Sequence, residues 1–322
     1  CRVGVSASRR AAWASARWLV CNSTRSSAGE ARVEASGNAR EYTSDGSRLQ
    51  LVSVRVLDAQ PWGGPQRGAT LVSVRARGAL VGGVVCRFGA SRWSSLAWSL
   101  GASRLRCVSA PSGASGWSGV HLSSAHGGVS SGGSFYYHAE VHASGAAPPL
   151  GPERGGTRVA VLGGGLKDAY TLRCRFANAS SASLGRLVDG SQLECASPMR
   201  ALGATRVRLS INAQQYGAGA GSGSGSGFGV GAAYTYERAW SVSSVWPSRV
   251  LSAGGTPLTV RGGGFSSVSE SLGYALCRVG VSASRRAAWA SARWLVCNST
   301  RSSAGEARVE ASGNAREYTS DG

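Results

Sequence analysis

Cysteine is the residue whose type and spacing most clearly indicate chemistry in this 322-residue chain. The eight cysteines form four pairs whose members lie 20 or 21 positions apart: Cys1 and Cys21, Cys86 and Cys107, Cys174 and Cys195, Cys277 and Cys297. An even count at regular spacing predicts four disulfides within domains, in an oxidising compartment. A structural zinc site needs cysteines in close pairs such as CxxC, and the sequence has none.

Asparagine occurs three times in the Asn-x-Ser/Thr sequon of N-glycosylation, at Asn22, Asn178 and Asn298. Asn298 directly follows Cys297. If the cysteine points inward, the alternation of a strand turns the asparagine outward, where a transferase can reach it. The sequence therefore predicts covalent N-linked glycans at these positions.

The histidines and acids offer little catalytic chemistry. His138, Glu140 and His142 alternate along a possible strand, which would place two imidazoles and a carboxylate on one face as a candidate metal site. The segment lies where one domain passes into the next, so ordinary polar surface is the favoured interpretation and metal the weaker one. No serine or cysteine nucleophile lies in a recognisable motif. We therefore expect no enzyme activity, no cofactor and no resident metal.

The chain is strongly basic, with 35 Lys and Arg against 16 Asp and Glu and a net charge of +19. Such a charge favours acidic partners, and anionic polysaccharide is one candidate. A nucleic-acid reader gathers its charge on one stripe or helix. Here the basic residues are spread along the chain with no run longer than Arg9-Arg10, so no nucleic-acid partner is expected. No apolar stretch approaches the ~18–20 residues of a membrane span.

The chain contains an exact internal repeat, because residues 1–46 recur without a substitution as residues 277–322. The distance from Cys1 to Cys277 sets a period of 276 residues, or three domains of about 92 residues each. A recurrence this faithful predicts a tandem array that continues on both sides. An engineered fusion is the alternative.

A fainter repeat lies within the exact one. The first cysteine of a pair lies in CRFG, CRFA or CRVG, and the second in CVSA, CASP or CNST. A Gly-Thr-rich strand precedes each pair, and a Tyr-bearing strand is expected after it, near Tyr136, Tyr234 or Tyr318. Many short strands punctuated by glycine and serine predict an all-β protein made of sandwiches.

Strand alternation also predicts which side chains enter the core. If Cys174 points inward, Leu172 and Phe176 point inward with it, and Leu193 accompanies Cys195. Each bridge would then lie inside its own core. Closing a loop of about 20 residues in this way stabilises a domain by roughly 3 kcal/mol in the chain-entropy model.

The order GGTPLTVRGGGF, CRVG, CNST and VEASGNAREYTSDG resembles the IPT/TIG domain, an immunoglobulin-like fold found in plexin-type ectodomains and algal-type surface fibre proteins. The resemblance is strongest after residue 238, fair at 139–237 and weaker at 54–138, where RGATLVSVRARG replaces the usual GGT segment. It implies tandem immunoglobulin-like β-sandwiches arranged as beads in a linear array. The implied domains are 1–53, 54–138, 139–237 and 238–322. The domain at 238–322, called the third type here, lacks its final strand. Residues 1–53 are the C-terminal part of another third-type domain, and they contain that final strand as SRLQLVS at 47–53.

This organisation predicts a structural subunit of an extracellular fibre or cell-surface appendage, with copies of itself along and beside the fibre as partners. One alternative is a ligand-binding or adhesive receptor-type ectodomain stalk. The other is a DNA-binding factor, since IPT/TIG domains also occur in nuclear transcription factors. Paired cysteines and sequons count against the DNA-binding factor.

One surface position differs between the domain types. On the strand of the second cysteine, the positions opposite that cysteine hold Arg104 and Arg106 in one domain and Gln192 and Glu194 in the next. In the third type they are apolar, in both copies: Trp18, Val20, Trp294 and Val296. An outward apolar patch predicts a contact with a neighbouring domain, a second thread or a glycan.

Overall fold

The computed structural model describes residues 1–22, 27–45, 47–78, 83–89, 94–101, 103–124, 127–130, 132–167, 171–177, 182–217 and 231–321. Within these ranges nearly all regular structure is β-strand, with one five-residue helix. No helix in the same ranges is long and apolar enough to cross a membrane. The expected all-β fold is confirmed.

The strands of residues 1–53 are β1 (Arg2–Val3), β2 (Ala12–Ser15), β3 (Trp18–Val20), β4 (Gly29–Glu34) and β5 (Ser47–Leu51). Residues 54–138 contain β6 (Arg55–Gln60), β7 (Gly63–Pro65), β8 (Leu71–Arg77), β9 (Val84–Phe88), β10 (Ser94–Leu96), β11 (Trp98–Ser99), β12 (Arg104–Val108), β13 (Gly116–Ser124), β14 (Gly127–Val129) and β15 (Gly133–His138).

Residues 139–237 contain β16 (His142–Ala147), β17 (Leu150–Pro152), β18 (Arg158–Gly164), β19 (Arg173–Phe176), β20 (Ser183–Asp189), β21 (Gln192–Ala196), β22 (Gly203–Ser210) and β23 (Ala232–Glu237). Residues 238–322 contain β24 (Ser241–Trp246), β25 (Pro257–Gly263), the helix α1 (Ser267–Ser271), β26 (Leu276–Val279), β27 (Arg285–Arg286), β28 (Ala288–Ser291), β29 (Trp294–Asn298) and β30 (Val309–Ser312).

The chain forms two compact units, one of Cys1–Trp62 with Arg67–Tyr137 and the other of Gly63–Gln66 with His138–Gly322. In the first unit, β1, β4 and β5 form one sheet and β2 and β3 a hairpin. The rest of this unit is the first sandwich, with sheets of order β10-β9-β13-β15 and β11-β12-β8-β6.

The core of the first sandwich follows from strand alternation. On β8, Val72, Val74 and Ala76 are at most 1% exposed, whereas Arg75 between them points to solvent and pairs with Asp58 at 2.6 Å. β-Branched side chains of this kind pack well on a pleated, half-buried surface. The inward faces of both sheets supply the remaining core residues: Val56, Ala59, Cys86, Phe88, Leu105, Cys107, Val120, Leu122, Phe135 and Tyr137.

The second unit contains two sandwiches. In the second sandwich (residues 139–237) the strands run in the order β16-β18-β21-β20-β19-β22-β23-β17, and β20 pairs with β19 at its start and with β21 further along. The third sandwich (residues 238–322) has sheets β24-β25-β29-β28 and β27-β26-β30 over its own core.

The buried faces of the second sandwich match the alternation expected for them. Leu172, Cys174, Phe176, Leu193 and Cys195 are all at most 2% exposed. Phe176 also makes edge-on contacts with the buried rings of Tyr234 and Tyr236, with ring centroids 5.2 and 6.3 Å apart. Burial raises the pKa of the Tyr234 hydroxyl, which keeps it neutral.

The expected Tyr-bearing strand is confirmed for two of the three positions. Tyr136 lies on β15 and Tyr234 on β23, but Tyr318 lies outside any strand. Strand register explains the error, since Cys277 pairs with Ala311 as Cys174 pairs with Leu209. Tyr318 is therefore equivalent to Tyr216 in the turn after β22. The rings of Tyr318 and Tyr216 lie under equivalent arginines, Arg278 at 4.2 Å and Arg175 at 3.6 Å.

One turn position recurs with left-handed backbone geometry in every sandwich. It follows the strand of the first cysteine and is Gly89 (φ +64°), Ala177 (φ +63°) and Gly280 (φ +58°). The amide nitrogen there donates to the neighbouring strand, at 2.8 Å for both Ala177 and Gly280. A Cβ is unfavourable at such φ values, so Ala177 carries strain that its glycine equivalents avoid.

We expect Ala177→Gly to raise the free energy of unfolding of the second sandwich by about 1 kcal/mol. The reciprocal Gly280→Ala should lower that of the third by about the same amount, because a Cβ there meets only Ala307 Cβ at an ordinary 3.5 Å. Amide hydrogen exchange in β22 and β25, whose sequences are unique in the chain, measures both. Shifts of the same sign in the two variants would contradict this account.

Candidate functional site

The cysteines are joined in the four pairs that their spacing predicts: Cys1–Cys21, Cys86–Cys107, Cys174–Cys195 and Cys277–Cys297. In each sandwich the bridge joins two strands that flank the core, as β26 and β29 do in the third sandwich. The six cysteines of these three bridges are at most 2% exposed. The Cα atoms of the pairs lie 6.1–6.3 Å apart. Disulfides of this kind persist in oxidising compartments, so the chain is an extracellular or cell-surface protein.

The sequons fall at different kinds of position. Asn298 is the last residue of β29 and is exposed, and Asn22, its partner in the exact repeat, is also exposed. Asn178 lies outside the described residues. Glycans on the three asparagines remain a prediction.

The expectation that His138, Glu140 and His142 share one face is wrong. The strand is interrupted: β15 ends at His138 and β16 begins at His142, so alternation does not carry through Glu140. His138 is buried with Nδ1 2.7 Å from the carbonyl oxygen of Ala139, and burial lowers its pKa, whereas Glu140 is exposed. Among the described residues no group of three His, Cys, Asp or Glu side chains is placed to hold a metal ion.

The apolar patch defined by Trp18, Val20, Trp294 and Val296 lies at the surface of the chain. The exposed fractions are 73% and 57% for Trp18 and Val20, and 41% and 38% for Trp294 and Val296. The ring of Trp294 also lies 5.8 Å below the guanidinium of Arg261. Its partner remains a prediction.

The most developed polar site is the joint between the second and third sandwiches, which sequence reasoning missed. The site is built around Asn314, which lies in the turn after β30. Asn314 is only 3% exposed. The Oδ1 atom of Asn314 accepts from the backbone amides of Arg316 and Glu317 at 3.0 and 3.1 Å, which fixes the turn. Asparagine often closes turns in this way, by bonding to backbone two residues ahead.

The other end of the Asn314 side chain reaches across the joint. Nδ2 donates to Oγ1 of Thr157 at 3.2 Å and also to the carboxylate of Glu317. The Thr157 hydroxyl in turn donates to Oε2 of Glu317 at 2.8 Å, and Thr157 is fully buried. Its own backbone amide donates to Ser197 Oγ at 3.2 Å, which ties the threonine to the strand of the second cysteine. A hydrogen bond to a carboxylate stabilises more than a neutral one.

A second tie runs from the end of β23 to the helix of the third sandwich. The carboxylate of Glu237 accepts from Ser266 Oγ at 2.7 Å and from Ser269 Oγ at 3.0 Å. Ser266 is the N-cap of α1, so the carboxylate also lies beside the helix start. The connecting segment, residues 238–240 between β23 and β24, is thereby held to the third sandwich.

A third tie fixes the connecting segment from the other side. Glu153 of the second sandwich accepts from the backbone amide of Ala239 at 2.7 Å. The next residue, Trp240, packs edge-on against Phe265 with ring centroids 5.1 Å apart. A Cβ added at Gly313 would lie 2.7 Å from the Trp240 ring, so this close approach requires glycine.

The turn motif of the joint recurs in the sequence with one exception. Asn212 occupies the position of Asn314 and also donates to a residue distant in sequence, in this case to the backbone carbonyl of Gly63 at 3.4 Å. The first copy of the repeat contains Asn38, which makes the same turn contacts with Arg40 and Glu41. In the first sandwich the register of β13 places Ala125 at the position equivalent to Asn314. Ala125 lies outside the described residues. The recurring S-x-N-A spacing was the signal that could have revealed the joint.

The IPT/TIG domain family matches residues 241–322. A search of curated proteins found no match. Among solved structures, the plexin A4 extracellular region is 16% identical over 78% of this chain and 21% of its own, with a TM-score of 0.44. The Escherichia coli adhesin FdeC is 12% identical over 84% of this chain and 94% of its own, with a TM-score of 0.26. The bacterial integrin-binding protein invasin is 11% identical over 81% of this chain and 56% of its own, with a TM-score of 0.21.

The family match covers the third sandwich from β24 to its end. It includes the two strands that carry Cys277 and Cys297, and the turn that carries Asn314. The present chain spans about a fifth of the plexin A4 chain that it resembles. The IPT/TIG family match thus lies within residues 241–322, and residues 1–46 repeat the sequence of its part from 277 to 322.

Proposed function

We propose that this chain is part of a structural subunit of an extracellular fibre or surface appendage, built from a 276-residue tandem repeat of three immunoglobulin-like domains. The single observation that carries the proposal is the recurrence of residues 1–46 as 277–322 without a substitution. A module that repeats in space with constant rise and twist needs the same surfaces in every copy.

The joint between the second and third sandwiches supports a mechanical role. Three carboxylates, those of Glu153, Glu237 and Glu317, accept hydrogen bonds between the two sandwiches or from the segment that connects them. Hydrogen bonds are short-range and directional, so they are lost when the sandwiches rotate relative to each other. Such a joint limits bending, which is what a thread that transmits force requires.

Acidic residues are scarce in this chain, which makes their presence at the joint notable. The chain has 16 acidic residues against 35 basic ones, and three of the acidic residues lie at this joint. Their partners are hydroxyl and amide donors. Neutral donors keep the joint less sensitive to ionic strength than exposed ion pairs would be, which suits an extracellular structure.

We expect Asn314→Ala to loosen the joint. The linker residue Arg238 is exposed, and trypsin can cut after it only when the bond from the Ala239 amide to Glu153 opens. Loss of the contact between Asn314 and Thr157 should raise the rate of this cut by roughly five- to tenfold, as about 1 kcal/mol of opening free energy is removed. Mass spectrometry identifies the fragment that begins at Ala239.

The chain offers a matched control in Asn38→Ala. Asn38 makes the same turn contacts within an identical sequence, and its hydrogen bonds to Ser36, Arg40 and Glu41 are all within three residues of it. This variant should leave the cut after Arg238 unchanged. Thr157→Val should accelerate it, and adding Asn314→Ala should then change little more. Additive effects would show that the two side chains do not act together.

We expect the native protein to form threads with an axial period of about 105–120 Å, since each sandwich advances roughly 35–40 Å. Electron microscopy of the secreted material measures this period, and the full-length gene gives the number of 276-residue units. A single unit followed by a receptor-type head and a membrane anchor would replace the fibre with an ectodomain stalk.

A further inference from the structure

The outer face of β29 carries three residues in alternate positions, Trp294, Val296 and Asn298. The residues between them, Leu295 and Cys297, are 0% and 1% exposed, which fixes the other three outward. Successive outward side chains on a strand lie ~6.6–6.8 Å apart. The sequon asparagine thus lies in line with the apolar pair, on the same face of the same sheet.

The neighbouring strands extend this apolar face. In the sheet register Val296 pairs with Thr259, and Thr259 pairs with Trp246, so these side chains form one outward row. Trp246 is 73% exposed. Arg261, opposite Trp294 in the register, borders the face with a cation above the indole ring. Two indole rings and a valine are therefore exposed, wholly or in part, beside a glycosylation sequon.

The positions equivalent to Trp294 and Val296 are polar in the second sandwich, and its strand β21 carries no sequon. Glu194 occupies the position of Val296 and lies 3.6 Å from Arg158 and from Arg186, and Ala196 replaces Asn298. In the first sandwich the positions of Trp294 and Val296 are arginines, and Val108 replaces the asparagine. Among the three sandwich types, apolar side chains occur at these positions only where the sequon ends the strand.

We propose that an N-linked glycan on Asn298 lies back along β29, so that its first sugars cover Val296 and its later sugars cover Trp294. A pyranose ring presents an apolar face of C–H groups that packs on an indole ring, while its hydroxyls remain in water. The glycan removes from solvent an apolar patch that would otherwise promote association. This assignment is independent of the fibre function.

The glycan attaches by transfer from a lipid-diphosphate-linked oligosaccharide, catalysed by a transferase of the secretory pathway. The Nδ2 atom of Asn298 loses a proton to a basic group of the transferase and forms a bond to the anomeric carbon of the sugar. The bond from that carbon to the lipid diphosphate breaks, and the diphosphate leaves with the electron pair. Thr300 supplies the hydroxyl that completes the sequon.

The test uses the full chain secreted from a eukaryotic host. A Leu19→Val substitution marks the first copy, because peptides 18–25 and 294–301 are otherwise identical in mass. Hydroxyl-radical footprinting then compares Trp294 before and after native removal of the glycan by an N-glycosidase. We expect oxidation of Trp294 to rise roughly threefold or more once the glycan is removed. Oxidation of Trp117, 66% exposed on the first sandwich, should not change and serves as the dose control.

A reciprocal variant tests the same contact from the sugar side. Trp294→Ser with Val296→Thr keeps the sequon and should make the Asn298 glycan several-fold easier for the glycosidase to remove. Unaltered Asn298 in the secreted chain, or Trp294 oxidation that is the same with and without the sugar, would overturn the proposal. It would also fall if the glycosylated chain dimerised in sedimentation and Trp294→Arg abolished the dimer, because a second copy would then occupy the face.

Discussion

The buried bridge between facing sheets is the interaction on which each sandwich depends. Among the described residues the core of the third sandwich contains eleven buried side chains, and two of these are Cys277 and Cys297. The chain as a whole contains 47 glycines, each of which loses much conformational freedom on folding. A domain below about 100 residues buries too little apolar surface to offset that loss easily. The covalent link restricts the unfolded chain and so reduces the loss.

Once the bridge and the core are fixed, the remaining interior positions are nearly constant between sandwiches. The turn after the first cysteine has the same left-handed φ in all three, and the threonine of the Gly-Thr strand binds the serine two residues after the second cysteine. This bond is found for Thr70, Thr157 and Thr256. The outward faces are not constrained by packing, so they vary. Charged pairs on the second sandwich and indole rings on the third show where one scaffold has acquired different surfaces.

The joint adds a constraint of another kind. It is made of hydroxyl, amide and carboxylate groups that are buried together, and each must have a partner in the correct position. Thr157 takes part both in the interior of the second sandwich and in the joint. Its backbone amide binds Ser197, next to the strand of the second cysteine, and its hydroxyl binds Glu317 of the third sandwich. A displacement of one sandwich therefore acts directly on the strand that carries the bridge of the other.

Much of this architecture could be predicted from the sequence. Cysteine spacing gave the four pairs, period-two alternation placed Leu172, Cys174 and Phe176 in the core, and the same alternation turned Asn298 outward. These features are local, since a strand fixes the side of each residue by its number alone.

The tertiary structure decided what depends on distant residues or on where a strand stops. Alternation failed for His138, Glu140 and His142 because a strand break between them is not encoded in their spacing. The contact between Asn314 and Thr157 joins residues 157 positions apart, and the sequence shows each only as a common turn or strand residue. Two such groups meet only after two separate cores have formed and set the distance between them. The sequence by itself thus determined the sandwiches, and the tertiary structure determined how the second is joined to the third.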